Sequence, residues 1–281
     1  MTEKLDQIRD LTEAGRDGDG RITYRTVIDP VFTIGPKVHG GSVQMVVARA
    51  ARSALDALVP VGEAAEQKYP VAISSDYLSA PDPAEVDIEV TVRKTGRTVT
   101  VLTVDIVQGG RTMVASSVTC ARPDVGAPRY SAPNLLDLMP VEPTRTALWL
   151  DGSPLEEVNH LGPALELALD PVTVPMVRGE KGDPVVRGWA RPKGGEPDAE
   201  FGILIGDISV PVVMNLGLLG WAPTVQLTTY VRRYPAPGWL RFAATSTEVG
   251  PGMFEEDHLV VDSTGAVIVQ TRQLALIPQG A

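Results

Sequence analysis

The stretch GRTMVASSVTCARP, Gly110 to Pro123, has the same length as GAVIVQTRQLALIP, Gly265 to Pro278, and the two share their glycine and proline ends. Earlier in each half, SSDYLSAP and LTTYVRRYP superimpose with one residue of slack, which sets Tyr77 against Tyr230. Two matches in the same order indicate a duplicated unit. A duplication constrains the fold more than any single motif, because one architecture must suit both copies. The 281 residues leave room for two units of about 100–150 residues, each with a buried core.

In the first half, RITYRTVID reads as an opening strand. FTIGPKVHGGSVQMVVARAARSALDAL then carries two glycines followed by a proline-free run of Ala, Val, Met and Leu. That run predicts one buried helix from about Ser42 to Leu58, contacted on most sides, with Gln44, Arg49 and Arg52 as its exposed edge. VAISSDYLSA, VDIEVTVRKTG and a hairpin turned at Gly109-Gly110 follow as strands. Val86, Ile88, Val90 and Val92 alternate with Asp87, Glu89, Thr91 and Arg93, the pattern of an antiparallel strand with one wet face. In the second half VVRGWARP reads as a strand, GDISVPVVMNLGLLGW as a second apolar helix, and TVQLTTYVRRY, GWLRFAATSTEV and EDHLVVDSTGAVIVQTRQLALIP as strands. Between the halves proline and glycine are frequent, and Ser153 and Glu156 stand at capping-box spacing before a short helix. The expected division is a flexible segment over 1–20, a first half over 21–124, a connector over 125–183 and a second half over 184–281.

The formal net charge of −10, with no Lys/Arg-rich run, gives no attraction to nucleic acid or to an anionic membrane surface. No stretch reaches the roughly 18–20 apolar residues of a membrane span, and the N-terminus lacks the apolar core of a secretory signal. A soluble, cytoplasmic protein is expected. The single cysteine, Cys120, excludes an intrachain disulfide and a multi-cysteine metal site, and reads as a buried structural thiol. The chain has no G-x-S-x-G elbow, no P-loop and no G-x-G-x-x-G after a strand, which counts against serine-nucleophile hydrolysis, nucleotide hydrolysis and nicotinamide chemistry.

A few residues stand out against this background. Asp207 opens the predicted second helix, where the helix dipole favours its anion and burial opposes it; it is either a base or an N-cap. Gln273 is an amide where its repeat partner, Val118, is apolar. If buried it needs hydrogen-bond partners; otherwise it lies on a solvated face. Gly40 and Gly41 permit close approach of a ligand to the N–H groups of a helix start, or simply make a turn. His39 beside them is a ligand donor or a structural loop histidine, and with no second His or Cys at ligand spacing no metal is expected. Arg232 and Arg233 suit phosphate oxygens, but as strand neighbours at most one faces a given site, and a solvated pair is the plainer reading.

In this order and within a duplicated layout, His39-Gly40-Gly41, Gly206-Asp207, the strand Thr224 to Arg233 before Pro235, and Val267 to Gln273 after an Asp-Ser-Thr-Gly turn resemble the acyl-CoA thioesterase II-like proteins. The resemblance spans most of the chain. It implies an α+β double hotdog: two antiparallel curved sheets, each wrapped around a long apolar helix. It implies hydrolysis of acyl-CoA without a cofactor, a homo-oligomer, and a catalytic group of an Asp, a Ser/Thr hydroxyl and a Gln that orient a water. Carried onto this sequence, these fall on Asp207, Thr224 and Gln273, with His39, Gly40, Gly41, Thr228 and Arg232 toward substrate. The family often has an Asp-His pair two residues after the hydroxyl, whereas this chain has Gln226-Leu227. Period two sets Thr224, Gln226 and Thr228 on one face, so Thr228 is an alternative hydroxyl. Two further readings stand beside the thioesterase. One is a non-catalytic acyl-CoA or lipid-binding module. The other, an enoyl-CoA hydratase or dehydratase, lacks its D-x-x-x-x-H.

Overall fold

The computed structural model of the chain describes residues 3–17, 20–58 and 68–278. It runs through α1 (Glu3–Arg9), β1 (Thr12–Arg16), β2 (Arg21–Val27), the short pair β3 (Thr33–Ile34) and β4 (Lys37–Val38), and α2 (Gly40–Leu58). The meander β5 (Tyr69–Tyr77), β6 (Glu85–Lys94), β7 (Thr100–Gln108) and β8 (Arg111–Ala121) completes the first half. Then come β9 (Leu148–Trp149), β10 (Leu165–Leu169), β11 (Val185–Pro192), α3 (Ala199–Ile205), β12 (Thr224–Val231), β13 (Leu240–Thr245), β14 (Met253–Val261) and β15 (Val267–Leu276). Among the described residues, thirteen strands form one sheet in the order β1-β2-β6-β7-β8-β5-β12-β15-β14-β13-β11-β10-β9, with antiparallel neighbours throughout.

Local chemistry explains the first half. The inward phase of β6, Val86, Ile88 and Val90, is buried, as the alternation predicts. Gly109 and Gly110 both take positive φ, 59° and 73°, the conformation that a two-residue hairpin needs. Helix α2 packs on β5 to β8 and buries every residue from Gly41 to Ala48. Gln44 departs from expectation. It is fully buried instead of edging into solvent, because strands from both halves satisfy its amide. Its Nε2 donates to Ser75 Oγ at 3.0 Å and to the Leu227 carbonyl at 2.8 Å, and its Oε1 accepts from Thr229 Oγ1 at 2.6 Å.

That amide sits over the seam of the molecule. β5 and β12 pair from Gln226 opposite Asp76 to Tyr230 opposite Ala72, which makes the expected two sheets one continuous sheet. The register of the halves corresponds: Ser75 lies opposite Ser116, and Thr229 opposite Thr271. On this register Gln273 is the counterpart of Val118, while Tyr77 matches Val231, one residue from the Tyr230 of the sequence alignment.

Three expectations are corrected. GDISVPVVMNLGLLGW is not a helix: Pro211 and the left-handed Gly217 (φ 89°) confine it to a 3-10 turn at Val212–Leu216. The second helix is the seven-residue α3, which precedes Gly206-Asp207, so only one of the two helices is long. The span 125–183 is more than connector, since β9 and β10 add to the sheet edge; within it Ser153 caps a 3-10 turn at Pro154–Glu157. The segment 1–20, of which residues 1, 2, 18 and 19 lie outside the described residues, carries α1 and β1, because Leu5 and Ile8 at i,i+3 spacing are buried in the core.

Cys120 is fully buried, and burial pushes its thiol up to about 12. A time course of iodoacetamide labelling is expected to show no reaction in native buffer and rapid reaction in denaturant.

Candidate active site

The site is assembled around the short helix α3. Asp198 caps it, accepting from the Phe201 N–H at 2.7 Å, and all seven of its residues are buried. At its other end Thr271 Oγ1 donates to the Gly206 carbonyl at 2.5 Å, and a Cβ on Gly206 would lie 2.6 Å from Thr271 Cγ2. Only glycine lets the chain turn this close to β15. Asp207 follows, at the end of α3 instead of the start of a helix, so it is not the cap that the sequence suggested.

Its carboxyl nevertheless meets a helix N-terminus, that of α2. A Cβ on Gly40 would lie 2.6 Å from Asp207 Oδ2 and 3.3 Å from the Tyr77 hydroxyl, so the missing side chain is what admits the carboxyl. His39 Nε2 donates to the Asp207 carbonyl at 2.7 Å and stands 3.6 Å from Oδ2. Donation from Nε2 leaves Nδ1 as an acceptor, and it takes the Ser42 N–H at 3.2 Å and stands 3.1 Å from Ser42 Oγ. His39 therefore caps α2. Burial holds its pKa down to about 4, so the ring is neutral at pH 7. Tyr77 donates to the Gly40 carbonyl at 2.7 Å. Burial raises the pKa of Asp207 to about 7, against the stabilising N–H of Gly41.

Gln273 and Thr224 meet on the buried face of the same sheet, where Gln273 Nε2 donates to Thr224 Oγ1. A bulge in β12 makes this possible. Thr224 lies opposite Ala275 and Gln226 opposite Leu274, so one extra residue reverses the phase between them. Gln226 and Thr228 consequently face outward, which corrects the period-two reading and removes Thr228 as an alternative hydroxyl for this cluster. Thr228 bonds Ser74 across the seam at 3.0 Å, and Arg232 pairs with Asp124 at 3.0 Å. Both line an outer groove of about 820 Å³ with Tyr230 and Arg272, on the opposite face from Gln273. Arg233 donates to the Gly126 carbonyl at 3.2 Å.

Sequence reasoning missed two residues of the cluster, Glu256 and His258. Glu256 lies directly opposite Gln273, and His258 opposite Thr271. Ser209 Oγ donates to Glu256 Oε1 at 2.6 Å, the Val212 N–H to Oε2 at 2.9 Å, and His258 Nε2 stands 3.1 Å from Ser209 Oγ. Burial raises the pKa of Glu256 to about 7, with a further push from the Asp207 charge, and lowers that of His258 to about 3. The signal was present in β14: Phe254, Glu256, His258 and Val260 share one phase, and the ends of that phase are apolar.

One continuous antiparallel sheet whose two halves meet at the β5–β12 seam, with few helices, defines a hotdog-fold protein. The sequence places it further. Residues 28–121 match the acyl-CoA thioesterase N-terminal domain and residues 137–277 the acyl-CoA thioesterase C-terminal domain; the chain belongs to the acyl-CoA thioesterase family. The uncharacterized protein Rv0499 of Mycobacterium tuberculosis (strain ATCC 25618 / H37Rv) is 41% identical to it over 264 residues, 88% of each chain. A crystal structure from Thermobifida fusca YX, assigned to thioesterase II, is 26% identical with a TM-score of 0.81 over 99% of this chain and 98% of that one. An acyl-CoA thioesterase II, TesB2, from Mycobacterium marinum shares the fold at 16% identity and a TM-score of 0.65, over 99% and 98% of the chains.

Proposed function

We propose that this protein hydrolyses acyl-CoA thioesters to free fatty acid and CoA, with Asp207 as the base, and Thr224 and Gln273 orienting the water. The observation that carries the reading is the inward-facing amide of Gln273. It is 8% exposed and bonded to Thr224, on the strand beside the one that anchors the Asp207 turn. A solvent-facing amide would instead favour the non-catalytic acyl-CoA module.

In this mechanism Asp207 takes a proton from the water as its oxygen attacks the thioester carbonyl carbon. The carbonyl becomes an oxyanion, the C–S bond then breaks, and the thiolate of CoA receives the proton. A pKa near 7 suits a group that must first accept and then return a proton at neutral pH. The glycines at the start of α2 leave the base facing the positive end of that helix.

Free-thiol release from a panel of acyl-CoA esters of increasing chain length tests the reading. Turnover by the wild type, falling about 100-fold in Gln273→Ala, corresponds to about 2.7 kcal/mol of lost transition-state stabilisation and supports it. No release from any ester, while CoA esters still bind, transfers the protein to the binding module.

A further inference from the structure

We propose that Glu256 is a positioning residue for Asp207: its carboxyl clamps the turn that carries Asp207 onto β14, directly beside Gln273. The inference rests on the thioesterase reading and extends it to a residue outside the Asp/Thr/Gln group.

The geometry is a two-point clamp. Both oxygens of Glu256 are used: one takes the Ser209 Oγ proton in the segment just after Asp207, the other the N–H of Val212, which opens the 3-10 turn that follows. The same carboxyl sits in register with Gln273. Thr271 ties the Gly206 carbonyl, on one side of Asp207, to β15; Glu256 adds a second tie on the other side, to the neighbouring strand β14. Without the clamp, the segment from Ile208 to Pro211 has no helix or strand to hold it. Because Ser209 gives its proton to Glu256, its oxygen is left to accept from His258 Nε2, which extends the clamp into a chain of three side chains.

A carboxylate 2% exposed costs more to bury than a neutral amide in the same place. Its charge has a second effect. Asp207 and Glu256 repel each other, and the other titratable groups around them, His39, His258 and Tyr77, are neutral at pH 7. Both carboxyls are raised to about 7, chiefly by burial, so their ionisations fall together and the acid limb of the rate profile is broader than a single one.

The test compares Glu256→Gln, Ser209→Ala and Asp207→Asn with the wild type, measuring kcat and KM between pH 5.5 and 9 and melting temperature over the same range. Glu256→Gln is expected to lower kcat by about 10–100-fold with little change in KM, the scale of a misplaced catalytic group. Its acid limb narrows to one ionisation and moves to lower pH, which loss of a purely structural contact would not produce. Ser209→Ala removes one bond and no charge, so kcat falls less and both ionisations remain, with that of Glu256 moved to higher pH because the Ser209 bond lowers it. Should Glu256→Gln fail to fold, Ser209→Ala carries the test, and wild-type kcat in it overturns the clamp.

Full activity and an unchanged profile in Glu256→Gln, while Asp207→Asn is inactive, overturn the proposal and leave the thioesterase reading intact. Activity retained in Asp207→Asn overturns the site assignment itself. The melting temperatures need no turnover. Glu256 is raised from 4.5 to about 7 on folding, so the wild type loses stability relative to Glu256→Gln as pH climbs from about 5 to about 7. A constant difference across that window overturns the coupling even in an inactive protein.

Discussion

Replacing Asp207 by Asn will leave a folded protein that has lost about 1000-fold of its acyl-CoA hydrolysis, within the range for removal of a general base. The carboxyl is nearly sealed, wedged between Gly40, Gly41 and Tyr77, and Asn fills the same space. Stability will move in the other direction. A carboxyl at about 3.8 in the unfolded chain and about 7 in the fold favours the native state below pH 4, and that contribution is lost as pH rises through 7. Above pH 7 the Asn variant therefore melts no lower than the wild type. Loss of activity together with a lower melting temperature at pH 8 would mean that Asp207 is structural.

Gly41→Ala is expected to have the largest effect on stability. A Cβ there would lie 2.6 Å from the Leu204 carbonyl, 2.9 Å from His39 Cε1 and 3.0 Å from Asp207 Cβ. A backbone carbonyl of α3 cannot swing aside as a side-chain tip can, so α2 and α3 must separate. Overpacking of this kind costs about 3 kcal/mol, and for a chain of 281 residues that lowers the melting temperature by about 5 °C. The added methyl also pushes on Asp207, so activity per folded molecule falls as well. Gly15→Ala, with nothing near the added carbon, serves as the control. Equal melting temperatures for the two variants would refute the close approach of the helices.

Much of this fold was legible because strands announce themselves by alternation. The phase of Val86, Ile88 and Val90 and the Gly109-Gly110 turn appear in the structure where the sequence put them. The second helix was misplaced for a physical reason. GDISVPVVMNLGLLGW is apolar without a period, and hydrophobicity alone does not distinguish a helix from a buried turn. The true helix, AEFGILI, is too short to show a stripe, and its capping Asp198 sits in a loop-like PKGGEPD stretch. The bulge after Thr224 left no mark in composition, yet it decides which hydroxyl faces inward. Asp207 stands out in the sequence as the opening residue of an expected helix and through the family resemblance, but the groups around it in the fold are His39, Gly40 and Tyr77, from the other half of the chain. Glu256 and His258 are legible only as polar residues in a phase whose ends are apolar.

The pairing of β5 with β12 joins two related halves that one chain also links covalently. Their association therefore does not depend on protein concentration, as it would in a dimer of separate halves. It also ends the requirement that both halves be alike. In a symmetric pair every substitution appears twice, so an amide introduced at the Gln273 position would be buried at the Val118 position too, and a partner hydroxyl would have to be kept in both halves. Within a single chain each half is free to specialise. In the proposed site the first half supplies the glycine cradle and the second the acid and the amide, one unsymmetrical arrangement in place of two equivalent ones.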